Sequence, residues 1–340
     1  MNDEWRPRLA SPPAFVGPVA VDPAGITGPT RGQAAGPRWR RSSRNRYVRA
    51  GVDARQPGQR VAEAAARSST ATVTGWASLL LQQAAFFDGR SRARLLPVLL
   101  VEGDERLRSA PGVTISHAKV SPSEVLVRCG LRCTIPERAL VDHILQVDDP
   151  RESVVALDMA AAAELTSIRR VHAYLGQRPG ARGNALVRAA LDLAHERSAS
   201  PQETRFRLLW RLDAGWTPPL VNRDVLDRDG RFIGRPDLLD TERGIVGEFA
   251  GAVHRRRSQH RSDVRREDLF RRAGLEYVEV VGADLQDVPL VVDRMAAAAA
   301  RVGSRPRRWQ LGPEPEPLDD VLDHRDAMIA LAETPVIWPR

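Results

Sequence analysis

Lysine is nearly missing from this chain of 340 residues: among 51 Lys and Arg residues only Lys119 is a lysine. A GC-rich codon bias would give that ratio, along with the abundant Ala. The net charge of +8 and the pI of about 10.6 are therefore weak evidence for a polyanionic partner. The placement of the Arg residues is better evidence. Cysteine is scarce too. Cys129 and Cys133, in VRCGLRCT, have no second pair nearby, which excludes a four-ligand zinc site and suits small apolar residues on neighbouring strands. The start, MNDEWRPRLASPP, has no basic segment followed by an apolar one, so no signal peptide is expected. No apolar run approaches a membrane span, and the longest, near residues 95–101, suits a buried strand. With 42% hydrophobic residues and a mean hydropathy of −0.34, the expectation is a soluble, cytoplasmic protein with no membrane partner.

What is present is enough chain for two domains. Residues 1–51 read as a Pro-, Gly- and Arg-rich leader, extended or partly disordered. Residues 52–197 read as an α+β domain: helices at 59–67 and 73–86, strands at 95–101, 112–117, 124–129 and 131–134, then helices at 136–146, 153–163, 167–175 and 185–196. Residues 198–304 read as a second domain, an α/β/α unit in the order α-β-β-β-α-β-α, so the chain as a whole is α/β. Ser200-Pro201-Gln202-Glu203 opens its first helix, with Ser as N-cap and Pro in the first turn. Strands follow at 220–226, 231–239 and 244–249, a helix at 258–273, a strand at 275–281 and a helix at 288–302. Residues 305–340 read as an acidic, Pro-rich tail with a short helix near 326–332.

The stretch 234–254, GRPDLLDTERGIVGEFAGAVH, carries the most chemistry. It sets Asp237 in one strand and Glu248 toward the end of the next, so that two carboxylates converge. Hard cations such as Mg²⁺ take oxygen ligands and keep several waters. Held beside a phosphodiester, such a metal polarises the phosphoryl oxygen and lowers the pKa of an attacking water. Equally, Asp237 and Glu248 are residues that cap strand ends or pair with Arg. Glu203 is a candidate third metal ligand, although its capping position explains it fully. His254 is a candidate general acid or a structural histidine. Asp263, Arg266, Phe270 and Gly274 share one helical face, which suits phosphate positioning by Arg266 and Asp263 or a plain ion pair between them. Arg255 and Arg257 stand in an Arg-rich run after the carboxylate strand, either as phosphate contacts or as a solvated face. The cluster Arg38–Arg49, with Trp39 and Tyr47 inside it, suits phosphate tracking and base stacking, or a basic strand with its aromatics turned inward.

Arg235-Pro236-Asp237, Glu248-Phe249-Ala250-Gly251-Ala252-Val253-His254 and Asp263-Val264-Arg265-Arg266 resemble a bacterial domain related to the very-short-patch-repair endonucleases, of the restriction-endonuclease-like, PD-(D/E)xK, fold. That resemblance implies metal ligation by Asp237 and Glu248, a proton-transfer role for His254, and phosphate contacts from Arg266 with Asp263. Ala250 departs from it, standing where the family has Asp. Val73–Leu79 with Thr134–Asp142, and the stretch Arg31–Arg41, resemble AbiEi-type antitoxins of abortive-infection systems. The expectation is a nuclease-like protein that binds nucleic acid, DNA in the first place, with Mg²⁺-dependent phosphodiester hydrolysis weakened or lost through Ala250. The alternative is a non-catalytic DNA-binding regulator of the antitoxin type.

Overall fold

Residues 5–92, 94–251, 266–302 and 306–333 are described by a computed structural model. The chain is α/β and divides into two units, Arg8–Ala156 with Arg169–Ala189, and Met1–Pro7 with Leu157–Ile168 and Ala190–Arg340. No described helix is long and apolar enough to cross a membrane.

In the first of these units the expected leader is built into the fold. Strands β1 (Trp39–Ser43) and β2 (Arg46–Arg49) form a hairpin turned by Asn45 at φ 54°. Val48 is buried, and Arg40 Nη1 donates to Glu63 Oε2 at 2.8 Å. The Gln59 side chain holds both the amide and the carbonyl of Val16, at 2.9 and 3.1 Å. A basic strand is one of the two readings of the Arg38–Arg49 cluster; the turn at Asn45 makes it a hairpin of two strands. Beyond it come β3 (Thr72–Thr74), β4 (Arg90–Ser91), β5 (Arg94–Leu95), β6 (Val98–Val101), β7 (Val113–Ser116), β8 (Val125–Arg128) and β9 (Leu131–Thr134). Five of them make a mixed sheet in the order β7-β6-β3-β9-β8. Helices Trp76–Leu81 and Pro136–Val147 are tied to it: Thr74 Oγ1 donates to Asp142 at 2.7 Å and Ser78 Oγ to the Thr134 carbonyl at 2.8 Å. Cys133 is buried in β9. Cys129 lies in the β8–β9 turn at φ 51°, exposed, rather than on a strand.

The other unit begins with the expected N-cap: Ser200 Oγ accepts the Glu203 amide at 3.3 Å, and helix Pro201–Leu208 follows. The last turn, Leu209–Asp213, widens into π geometry. The two long strands expected next are each broken in two, giving β10 (Leu220–Val221), β11 (Val225–Asp227), β12 (Phe232–Gly234) and β13 (Leu238–Asp240). Then come β14 (Ile245–Ala250), β15 (Glu276–Val281), helix Val288–Val302 and β16 (Trp309–Leu311). The breaks let the chain switch sheets: β10-β13-β14-β15 is one sheet, β12-β11-β16 another. The tail is thus partly structured. Its Trp309 pairs with Asp227 across β16 and β11, and a helix spans Leu318–Glu333.

Strand β14 alternates. Ile245 and Phe249 belong with the core of Phe206, Trp210, Val291 and Met295 on one face of the sheet. Val246 belongs with Leu239, Phe270, Leu275 and Trp309 on the other. The parallel step from β14 to β15 requires a crossover, and residues 266–272 are helical within it. Asp158 is completely buried and takes Arg207 Nη2 at 2.6 Å, Thr204 Oγ1 at 2.8 Å and the His195 amide at 2.8 Å. A buried ion is tolerated on these terms, paired and hydrogen-bonded.

Candidate functional site

Glu248 is the fourth residue of β14, and Gly247 before it explains how the helix comes so near. A Cβ on Gly247 would lie 2.8 Å from Phe206 Cε1 and 3.0 Å from Trp210 Cζ3. Glycine thus lets the edge-to-face Phe206–Trp210 pair pack directly on the strand. Glu248 points to the opposite face, that of Val246 and Ala250. It is 6% exposed, and Arg266 Nη2 approaches its Oε2 at 3.4 Å. Arg266 and Phe270, four residues apart, both lie against Gly234, whose added Cβ would meet Phe270 Cζ at 2.8 Å and Arg266 Cδ at 3.4 Å.

Asp237 sits at a bend just before β13 rather than inside a strand. Its Oδ2 accepts the Phe249 amide at 2.7 Å, and its carbonyl accepts the Asn222 amide at 3.1 Å. Asn222, at φ 48°, also donates its side-chain Nδ2 to Glu203 Oε2 at 2.9 Å, and Glu203 Oε2 takes the Ala199 amide at 2.8 Å. Glu203 is therefore held by two donors as a brace at the start of its helix, reaching one residue behind the cap. Burial raises the Asp237 carboxyl well above its ordinary pKa; the charge of Glu248 adds to this, then that of Glu203, against the Phe249 amide and Arg266. The Tyr277 phenol is likewise raised, first by burial and then by Glu248. Asp237 thus feels the charges of Glu248 and Glu203, although no group of three His, Cys, Asp or Glu arranged to hold a metal ion occurs among the described residues. His254, Arg255, Arg257 and Asp263 lie outside the described residues.

Three groups escaped the sequence reading. Asn222 links Glu203 to Asp237. Glu279 stands in register with Glu248 on the parallel strand β15. The third is a crowd of guanidiniums, Arg197, Arg223 and Arg235, with Asp224 set among them. Arg235 Nε donates to Asp224 Oδ1 at 2.6 Å, Arg223 Nη2 to the Gly312 carbonyl at 3.2 Å, and the Arg197 guanidinium stacks 4.7 Å from the Trp5 ring. Burial lowers the pKa of Arg197, and Arg235 and Arg223 lower it further. The crowd is joined to the carboxylates through the chain: Arg223 follows Asn222, Arg235 precedes Pro236-Asp237, and the Arg197 carbonyl accepts Asn222 Nδ2 at 2.7 Å. Only the tertiary fold reveals it, since its members are scattered along the sequence.

Ala250 lies two residues beyond Glu248 on the same strand face, at the end of β14, and is partly buried. No family model, characterised protein or solved structure matches the chain.

Proposed function

We propose that the unit containing β10–β16 is a restriction-endonuclease-like, nuclease-related domain that acts on nucleic acid, DNA in the first place. The observation that carries this reading is the hydrogen bond from the Phe249 amide to Asp237 Oδ2 at 2.7 Å, which sets the Asp237 carboxylate beside the strand that bears Glu248 and within reach of its charge. Two acids set side by side, with the charge of a third acting on one of them, suit a cation. The donors are hard carboxylate oxygens, and Mg²⁺ is commonly bound through one or two carboxylates with water completing its shell. Asp237 and Glu248 would hold the metal, with Glu203 bracing the Asn222 turn beside it. Such an ion supplies Lewis-acid polarisation of a phosphodiester and activation of water. The arginine crowd, and Arg266 at Glu248, supply positive charge for the phosphate backbone. The resemblance adds His254 as a proton-transfer group and Asp263, Arg255 and Arg257 as backbone contacts.

A second reading, a DNA-binding regulator of the antitoxin type with no hydrolysis, is favoured by one observation. Ala250 leaves a methyl on the Glu248 face of β14, while Arg266 already sets a cation against Glu248. Incubation of DNA with Mg²⁺ or Mn²⁺ separates the two. Cleavage abolished by Asp237→Ala supports the nuclease. Salt-sensitive binding without cleavage supports the regulator. Cleavage unchanged in Asp237→Ala removes the site.

A further inference from the structure

The hairpin of β1 and β2 presents its two faces to different surroundings. Arg40 and Val48, directly opposite in register, turn inward to Glu63 and the core. Trp39, Arg41, Tyr47 and Arg49 occupy the other face, because Trp39 pairs with Arg49 and Arg41 with Tyr47. Against that face lies a cavity of about 520 Å³, within the range of small-molecule sites. Val16, Ile26, Arg38, Trp39, Tyr47 and Arg49 line it. Its loop wall is fixed: the Asp22 carboxylate accepts the amides of Ala24, Ile26 and Thr27 at 2.8–2.9 Å. Ile26, 84% exposed, and Val16, 48% exposed, leave an apolar rim in water.

The chemistry of the lining is specific. Trp39 and Tyr47 are diagonal neighbours across the two strands, about 7–8 Å apart at the backbone. The Arg49 guanidinium lies 4.3 Å from the Trp39 ring centre. Arg38, Arg41, Arg44 and Arg49 are exposed, and none of them forms an ion pair with a carboxylate among the described residues. Of the nearby acids, Glu63 is taken by Arg40 and Asp22 by its own loop, while Asp53 Oδ1 accepts the Arg55 amide. Planar aromatic groups beside unneutralised guanidiniums suit a ligand with a flat π-face and an anionic backbone. We propose that this cavity binds an unpaired nucleotide, its base stacked on Trp39 and Tyr47 and its phosphate held by Arg38 and Arg49. The site is independent of the carboxylates of the other unit and of any divalent cation.

Fluorescence anisotropy of a labelled oligothymidine with the full chain, in EDTA, tests it. The expected result is binding that Trp39→Leu weakens roughly tenfold or more. Arg38→Gln and Arg49→Gln, at exposed positions where folding is not at stake, each lower the slope of log K against log salt by about 0.7. Competition by thymidine monophosphate at comparable concentration identifies a free nucleotide as the ligand. Displacement by unlabelled oligothymidine alone identifies an unpaired strand. Absence of binding in EDTA, duplex bound as tightly as single strand, or affinity untouched by all three substitutions overturns the proposal.

Discussion

The Phe249 amide donates to Asp237 Oδ2 at 2.7 Å. One short hydrogen bond thus ties the carboxylate at the bend before β13 to the residue that follows Glu248 in β14. It fixes the Asp237 side chain relative to the β14 backbone from which Glu248 projects. It also leaves Asp237 acceptor capacity on its other oxygen.

Because the folded-state pKa of Asp237 lies above its unfolded value, the native state binds the extra proton, and stability falls as pH rises through that window. Asp237→Asn keeps an acceptor for the Phe249 amide and removes the charge. Thermal unfolding should show the variant more stable than wild type at pH 7, with the gain shrinking as pH falls toward the ordinary carboxyl range. A variant less stable at pH 7 would contradict the crowding.

Gly247→Ala places a methyl within 2.8 Å of Phe206 Cε1, an aromatic ring wedged in the core. Overpacking of this kind costs about 1–3 kcal/mol. The strand shift that relieves it also moves Glu248, so denaturant melts should show the loss and metal affinity should fall with it. Unchanged stability would mean the helix is not seated on the strand as described.

Asp158→Ala removes the partner of buried Arg207 and strands that guanidinium along with the His195 amide. Breaking a buried pair typically costs about 3–5 kcal/mol. Urea unfolding should place the variant in that range, with Asp158→Asn less affected; a loss under about 1 kcal/mol would show that the pair is dispensable.

His143 is buried, and burial depresses its pKa to about 4; burial likewise depresses that of His195 to about 3. The unfolded chain takes up these protons first, so stability is full above about pH 6.5 and declines as pH falls from there toward 4. His143→Leu should flatten this part of the stability–pH curve, removing up to roughly 3 kcal/mol of the fall in stability across it. A wild-type curve flat between pH 7 and 4 would contradict the assignment.

Local signals carried much of the fold. The apolar run from Gly244 to Phe249 made β14 readable, and Ser200-Pro201 made the helix start readable, because each signal lies within one element. The cluster Arg38–Arg49 left a basic strand open as a reading, but its folding into the two strands β1 and β2 shows only in the cross-strand register. Strand β16 was hidden because Trp309 finds its partner, Asp227, more than eighty residues away. At the site, the structure brings Glu203 and Arg266 near Asp237 and Glu248, whose convergence was legible from residue type and spacing. The Asn222 link, the Glu279 register and the Arg197–Arg223–Arg235 crowd were not, since each exists only after the sheet has paired.

The central claim is that Asp237 and Glu248 form a cation site. Calorimetric titration of Mn²⁺ and Mg²⁺ into the full chain, beside Glu248→Ala and Asp237→Asn, tests it most directly. The account predicts one binding event with proton release, because the raised Asp237 carboxyl must ionise to bind, and its loss in both variants. Absence of binding in the wild-type protein, or binding that persists in both variants, would contradict it.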